Sequence, residues 1–215
     1  MGRRTLRKIN PNLDYEPYLD SVENQLDIDW DPDRLFAKPA PLEIEVGSGK
    51  GLFMANAAQQ FPDRNFLGIE IAQRYARSCA ARIARAAVGN AMMFSGDAQP
   101  LFRQKIPDQS IHAVHVYFPD PWWKKRHHKR RIMNESFLTD VVRVLVPDGR
   151  LHFWTDVKEY FDLSVELIHQ SFPQLQGPLS VVEKPAEHEM DFRTHFERRT
   201  RLHNEAVYRS EFLRS

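Results

Sequence analysis

Between residues 42 and 171 short apolar runs alternate with longer segments of helical period. Strands are predicted over 42–46, 65–69, 91–94, 111–118 and 150–155. Helices are predicted over 52–60, 72–88, 134–145 and 157–171, the second rich in alanine with Arg74, Arg77, Arg82 and Arg85 along it. A Pro147-Asp-Gly149 turn stops the third helix. Strands that alternate with helices imply right-handed crossovers and a mostly parallel α/β sheet. Residues 1–40 differ: they are polar, and Pro11, Pro17, Pro32 and Pro39 interrupt any long periodic element. The expected organisation is an irregular, basic N-terminal segment over 1–40 and a single domain over 41–215.

Length and composition narrow the class. The chain has 215 residues, enough for one well-buried domain. Thirty Lys and Arg against 29 Asp and Glu leave a net charge of +1, so only local clustering can point to a polyanion. The lone cysteine, Cys79, excludes an internal disulfide and a thiolate metal cluster, and its place on an Ala-rich helix suits a small core residue. No apolar run approaches the ~20 residues that span a bilayer, and no leader is visible. A cytoplasmic protein with no membrane partner is expected.

In open α/β sheets ligands bind beyond the carboxyl ends of the strands. Glu45, Glu70, Asp97, Asp120 and Asp156 lie near the ends of five successive predicted strands. Helix capping accounts for one or two such acids, not readily for five. The first strand leads into Glu45-Val-Gly47-Ser-Gly49-Lys-Gly51. A dinucleotide fingerprint reads G-x-G-x-x-G; here the spacing is G-x-G-x-G, with Leu52 in the place of the third dinucleotide glycine. A carboxylate two residues before the turn repels a pyrophosphate and welcomes an ammonium group. Glu70 stands about twenty residues on, where an acid holds ribose hydroxyls. Asp97, in Ser95-Gly96-Asp97, is placed to accept from an adenine amine. This order resembles the class I S-adenosylmethionine-dependent methyltransferases over residues 42 to about 100.

The most specific stretch is Phe118-Pro-Asp-Pro-Trp-Trp-Lys-Lys-Arg-His-His-Lys-Arg-Arg131. Aromatic faces at Phe118, Trp122 and Trp123 crowd Asp120, and six of the eight residues 124–131 are Lys or Arg. Aromatics stack bases, cations take phosphates, and a carboxylate can hydrogen-bond a base edge. Arg126, His127, His128, Lys129, Arg130 and Arg131 are therefore candidates for backbone contact with RNA. Arg198, Arg199 and Arg201 extend that footprint or only solvate the surface.

Residues 118–131, together with Phe153-Trp-Thr-Asp156 and Thr194-His-Phe-Glu197, resemble the signature of the bacterial tRNA (guanine-N7-)-methyltransferases. The similarity runs from about residue 42 to the C-terminus; Trp123 and His195 fill places that vary in the family. The resemblance implies a Rossmann-like class I methyltransferase fold with helices on both faces of the sheet. It implies methyl transfer from S-adenosylmethionine to N7 of guanine 46 in the tRNA variable loop. It also implies that Glu45, Gly47, Gly49, Gly51, Glu70, Asp97 and Asp120 surround the cofactor. Lys124, Asp156, Thr194, His195, Phe196 and Glu197, with Asp120, would contact substrate.

Guanine N7 carries a lone pair and no proton, so attack needs no general base, and alignment of N7, methyl and sulfur is the protein's main task. Asp120 is the candidate catalytic residue, as acceptor for the guanine edge and counter-charge to the alkylated base; Asp156 is the second. Glu43, on the same strand face as Glu45, reads as a buried acid paired with Arg or Lys. His112 and His115 fall on opposite strand faces, and His127 and His128 sit among cations, so no metal is expected. Two rival functions carry weight: a methyltransferase for another RNA or a small molecule, and an NAD-binding oxidoreductase or silent nucleotide-binding module. A monomer and a homodimer are equally compatible with the chain.

Overall fold

The computed structural model describes residues 6, 8–181 and 192–215. Its centre is one eight-stranded sheet in the order β1-β4-β3-β2-β5-β6-β8-β7. Five core strands, β2 (Leu42–Val46), β3 (Asn65–Glu70), β4 (Ala91–Ser95), β5 (Ile111–Tyr117) and β6 (Leu145–Thr155), run parallel. Their carboxyl ends therefore share one edge. A short β1 (Leu19–Ser21) adds parallel to β4. At the far side β8 (Tyr208–Arg214) pairs antiparallel with β6, and β7 (Leu175–Ser180) with β8.

Strand alternation divides the sheet into two unlike faces. Ile44, Val46, Leu67, Ile69, Val114, Val116, Leu151 and Phe153 pack into an apolar core. Covering them are α4 (Ala98–Gln104), α5 (Glu135–Val144) and α6 (Lys158–Ser171) through Phe102, Phe137, Val141 and Tyr160. The opposite face lies under α2 (Leu52–Gln60) and α3 (Gln73–Ala86), which bury Met54, Ala76, Cys79, Ala80 and Ile83. That face carries Glu43, Glu45, His115, Tyr117, His152 and Trp154, all buried. A helix-covered sheet with a polar row beneath the helices must satisfy that row internally. It does so for Glu43. Arg64 donates to Glu43 Oε1 at 2.6 Å and His115 Nε2 faces Oε2 at 2.8 Å. Burial pushes the Glu43 carboxyl up, but these two partners outweigh it and hold it down at about 2.

Residues 1–40, expected to be irregular, contribute β1, the five-residue α1 (Val22–Leu26) and two single-turn 3-10 helices. Each is short, as the prolines dictate. The basic arm over residues 2–8 falls mostly outside the described residues.

Candidate active site

The glycine turn leaves β2 with Gly47, Gly49 and Gly51 at φ of 84°, 53° and 69°, a region that side-chain-bearing residues rarely enter. At Gly51 a Cβ would also collide with the Cys79 sulfur, so α2 and α3 close on each other only because that position is bare. Gly49 N–H donates to Glu70 Oε2 at 2.9 Å, and Ala72 N–H donates to Oε1 at 2.8 Å. Glu70 thus links the turn to the end of β3. Glu45 stands behind the turn with 3% of its surface exposed, and its Oε2 has no hydrogen-bond partner among the described residues. Burial pushes its carboxyl up to about 8, against a hydrogen bond with Ser48 and with the Glu70 charge adding to the rise.

The sequence places five acids near strand ends, and the parallel strands bring them to one edge in the spatial order Asp97, Glu70, Glu45, Asp120, Asp156. Burial raises the pKa of Glu70, and the charge on Asp120 raises it further, so those two carboxylates feel each other. Asp97 is exposed and caps α4, accepting from Gln99 N–H at 3.0 Å. Asp156 is half-buried; burial raises its pKa while the Arg199 guanidinium opposes the rise.

Asp120 hangs on an unusual backbone. Phe118 and Trp122, two residues either side of it, have φ of 49° and 47°. Left-handed backbone at bulky residues stores roughly 1–3 kcal/mol each and persists only where surrounding contacts enforce it. Here Phe118 N–H donates to Trp154 O at 2.7 Å, and the Phe118 ring lies 4.9 Å from that of Phe196. Beyond Trp123, which is 71% exposed, residues Lys125–Arg130 form a 3-10 helix. Lys124, Lys125, Arg126, Lys129 and Arg130 are exposed, and His127 and His128 are partly so. Arg130 lies 5.0 Å over the Trp122 ring, with His127 edge-on to it at 5.9 Å.

Arg131 departs from expectation. It is buried, donates to Pro121 O at 2.7 Å and lies 4.8 Å over Tyr160. It closes the loop from inside and does not face solvent where a phosphate would lie.

The run Thr194–Glu197 begins α7 (His195–Leu202). Thr194 Oγ1 accepts from Glu197 N–H at 3.0 Å, and Glu197 Oε2 accepts from Arg193 N–H at 2.7 Å, a variant of the capping box. Glu197 is 3% exposed and its other oxygen faces Arg209 at 3.3 Å and Arg201 at 3.5 Å. The expectation that Glu197 touches substrate is redirected: its carboxylate is an interior anchor. Arg201 has the same inward role. Thr194, His195 and Phe196 instead border a cleft of about 1410 Å³, shared with Glu45, Gly47, Gly49, Phe118 and α3. Glu70, Asp97, Asp120, Lys124 and Asp156 lie outside its lining. Further residues contribute to the cleft, of which the sequence singles out only Arg199, as a candidate RNA contact. Arg82 donates to Lys50 O at 3.0 Å and meets His195 Nε2 at 2.9 Å, joining the glycine turn to α7. Arg199 lies 4.2 Å over Phe196 and also borders the cleft. Leu6, Lys8 and Ile9 reach its rim from the N-terminal arm. Among the described residues no three His, Cys, Asp or Glu converge as metal ligands, and no helix is long and apolar enough to cross a membrane.

A parallel sheet in this order, with a glycine turn and acids along its carboxyl edge, defines the Rossmann-like class I methyltransferase architecture. Solved structures agree on the fold. The 16S rRNA methyltransferase KamB superposes with a TM-score of 0.59 at 15% identity, covering 87% of this chain and 95% of that one. The 16S rRNA (adenine(1408)-N(1))-methyltransferase of Catenulisporales acidiphilia gives 0.56 at 16%, covering 87% and 92%. A family model described as a putative methyltransferase matches residues 39–210. The tRNA (guanine-N(7)-)-methyltransferase of Rhodopirellula baltica is 49% identical over 214 residues, covering 97% of this chain and 79% of the relative. Its counterpart in Vibrio cholerae is 33% identical, covering 94% and 81%. The chain belongs to the tRNA (guanine-N(7)-)-methyltransferase family.

Proposed function

We propose that this chain transfers the methyl group of S-adenosylmethionine to N7 of guanine 46 in the variable loop of tRNA. The observation that carries the reading is the shared sheet edge: Glu70 at the end of β3 and Asp120 just past β5 both lie along it, and five exposed cations follow Asp120 at once. In this reading the chain acts as one methyltransferase domain in the cytoplasm, with β1, Val22 and Phe36 built into its sheet and core, as a monomer or a homodimer.

The residues fit the donor. A buried carboxylate with an unpartnered oxygen behind a glycine turn suits an ammonium group and no phosphate. Glu70 spends one lone pair of each oxygen on Gly49 and Ala72 and keeps the others for ribose hydroxyls. Ile71, next in the chain, is 74% exposed and offers an apolar face to adenine. Asp97 keeps acceptor capacity beside its capping bond. The donor supplies a methyl group on a positively charged sulfur. Asp120 holds the guanine edge by accepting from N1–H and the 2-amino group, and its charge favours the cationic alkylated base. The start of α7 borders the cleft, and Asp156 stands beyond the end of β6 on the same sheet edge. Lys124, Lys125, Arg126, Lys129 and Arg130 take backbone phosphates.

Unmodified tRNA incubated with labelled donor, then treated with borohydride and aniline, should break at one variable-loop guanine. Label at another atom or in another RNA would overturn the substrate assignment. Asp120→Asn should slow single-turnover methylation roughly 100-fold or more while binding of S-adenosylhomocysteine is retained.

A further inference from the structure

We propose that Arg193 is a positioning residue that registers the three substrate-facing elements against one another; the inference rests on the methyltransferase reading above. Arg193 precedes α7, yet its guanidinium turns back onto the sheet. It lies 5.0 Å over the Trp154 ring and 5.9 Å over the Tyr117 ring, and donates to Tyr117 Oη at 2.9 Å. Tyr117 ends β5 and precedes Phe118 and the Pro-Asp-Pro loop. Trp154 stands two residues before Asp156. One residue therefore ties the strand that delivers Asp120 and the strand that delivers Asp156, through its side chain, to the helix that delivers His195 and Phe196, through its backbone N–H on Glu197.

The contacts behind Arg193 have only one consistent direction. A guanidinium donates and never accepts, so Tyr117 oxygen accepts from it. The hydroxyl proton then goes to His115 Nδ1 at 2.9 Å, leaving Nε2–H to donate to Glu43, which Arg64 holds from the surface. Burial and the neighbouring His152 keep His115 neutral, with its pKa pushed down to about 3, as this pattern requires. Each link from Arg193 through Tyr117 and His115 to Glu43 is made, and Arg193 is the terminus of this chain at the substrate side. Buried rows of this kind hold one arrangement and reject others, because a half-satisfied row is costly.

Two variants test the inference. Tyr117→Phe removes one oxygen and keeps the ring; Arg193→Met removes the charge and the donor, with Arg193→Lys as the conservative rescue. Single-turnover methylation at saturating tRNA and donor should fall at least tenfold in Arg193→Met, fall severalfold in Tyr117→Phe and recover in part in Arg193→Lys. S-adenosylhomocysteine affinity should stay within about twofold. Amide exchange over residues 194–200 should accelerate in Tyr117→Phe, while that of α3 stays as in the wild type. Normal saturated rates in the variants beside an active wild type would overturn the inference, as would a loss of donor affinity in step with the rate. If Arg193→Met does not fold, the rate and exchange data for Tyr117→Phe decide. The exchange measurement needs no tRNA, so a wild type inactive on tRNA would refute the substrate reading and leave this test standing.

Discussion

Glu45 shows how one residue can trade stability for binding. Its carboxyl has no room for a charge: it is buried, one oxygen is unpartnered, and Glu70 lies near. Folding raises its pKa from an ordinary 4.5 to about 8. The sign follows from linkage. Below the unfolded value both states hold the proton, and stability does not depend on pH through this group. As pH rises from 4.5 toward 8 the unfolded chain ionises and the folded one does not, so stability declines over that window. Glu45→Gln lacks this decline. Its stability relative to wild type should therefore grow between about pH 5 and pH 8, by up to about 1.4 kcal/mol per pH unit. Urea unfolding of both proteins across that range measures the difference, and a difference independent of pH would mean that Glu45 is already ionised in the fold. The same variant should lose donor binding, because, unlike Glu45, it cannot give up a proton and meet a docking ammonium group with a charge.

At the scale of elements, Asn134 joins the basic loop to the apolar core. Its Oδ1 accepts from Phe137 N–H at 3.0 Å and caps α5, while its Nδ2 donates to Arg131 O at 2.8 Å. Asn134→Ala should cost about 1 kcal/mol in chemical denaturation, and Asn134→Asp should restore most of it. Helix α5 was legible in the sequence, as were β2 and α2, whose predicted limits the structure reproduces. Long apolar periods survive translation into structure. What was illegible has a common cause. Helix α7 buries Glu197 and Thr200 in place of an apolar stripe, so no helical period shows. Strand β8 turns Ser210 and Phe212 inward, and the serine hides the alternation. Strand β1 has three residues and buries none. Strand β6 begins five residues before its prediction because the Pro147-Asp-Gly149 segment lies inside it, with a register shift against β5. The acids were legible as a set, but their individual loads were not. Nothing in the order of residues says that Glu197 faces inward, or that Phe118 and Trp122 bend left-handed around Asp120.

For the whole molecule, net charge is close to zero, so any grip on a polyanion is local and should show as local. Five cations of the 124–131 run face solvent and the sixth, Arg131, is folded inward. Each phosphate neutralised adds about 0.7–0.9 to the slope of log affinity against log salt. Four engaged side chains give a slope of about −2.8 to −3.6 on that coefficient. Replacing Lys129 and Arg130 together by alanine should make the slope shallower by about 1.5 and leave the melting temperature nearly unchanged. Arg131→Ala should do the reverse. It leaves the phosphate count alone, but it strips Pro121 O and the Tyr160 face of their partner and lowers stability. Filter binding of tRNA over a range of salt, beside thermal unfolding, separates the two. If Arg131→Ala instead flattened the salt dependence at unchanged stability, the inward Arg131 and the closed loop it supports would both be mistaken, and the loop would have to open for tRNA.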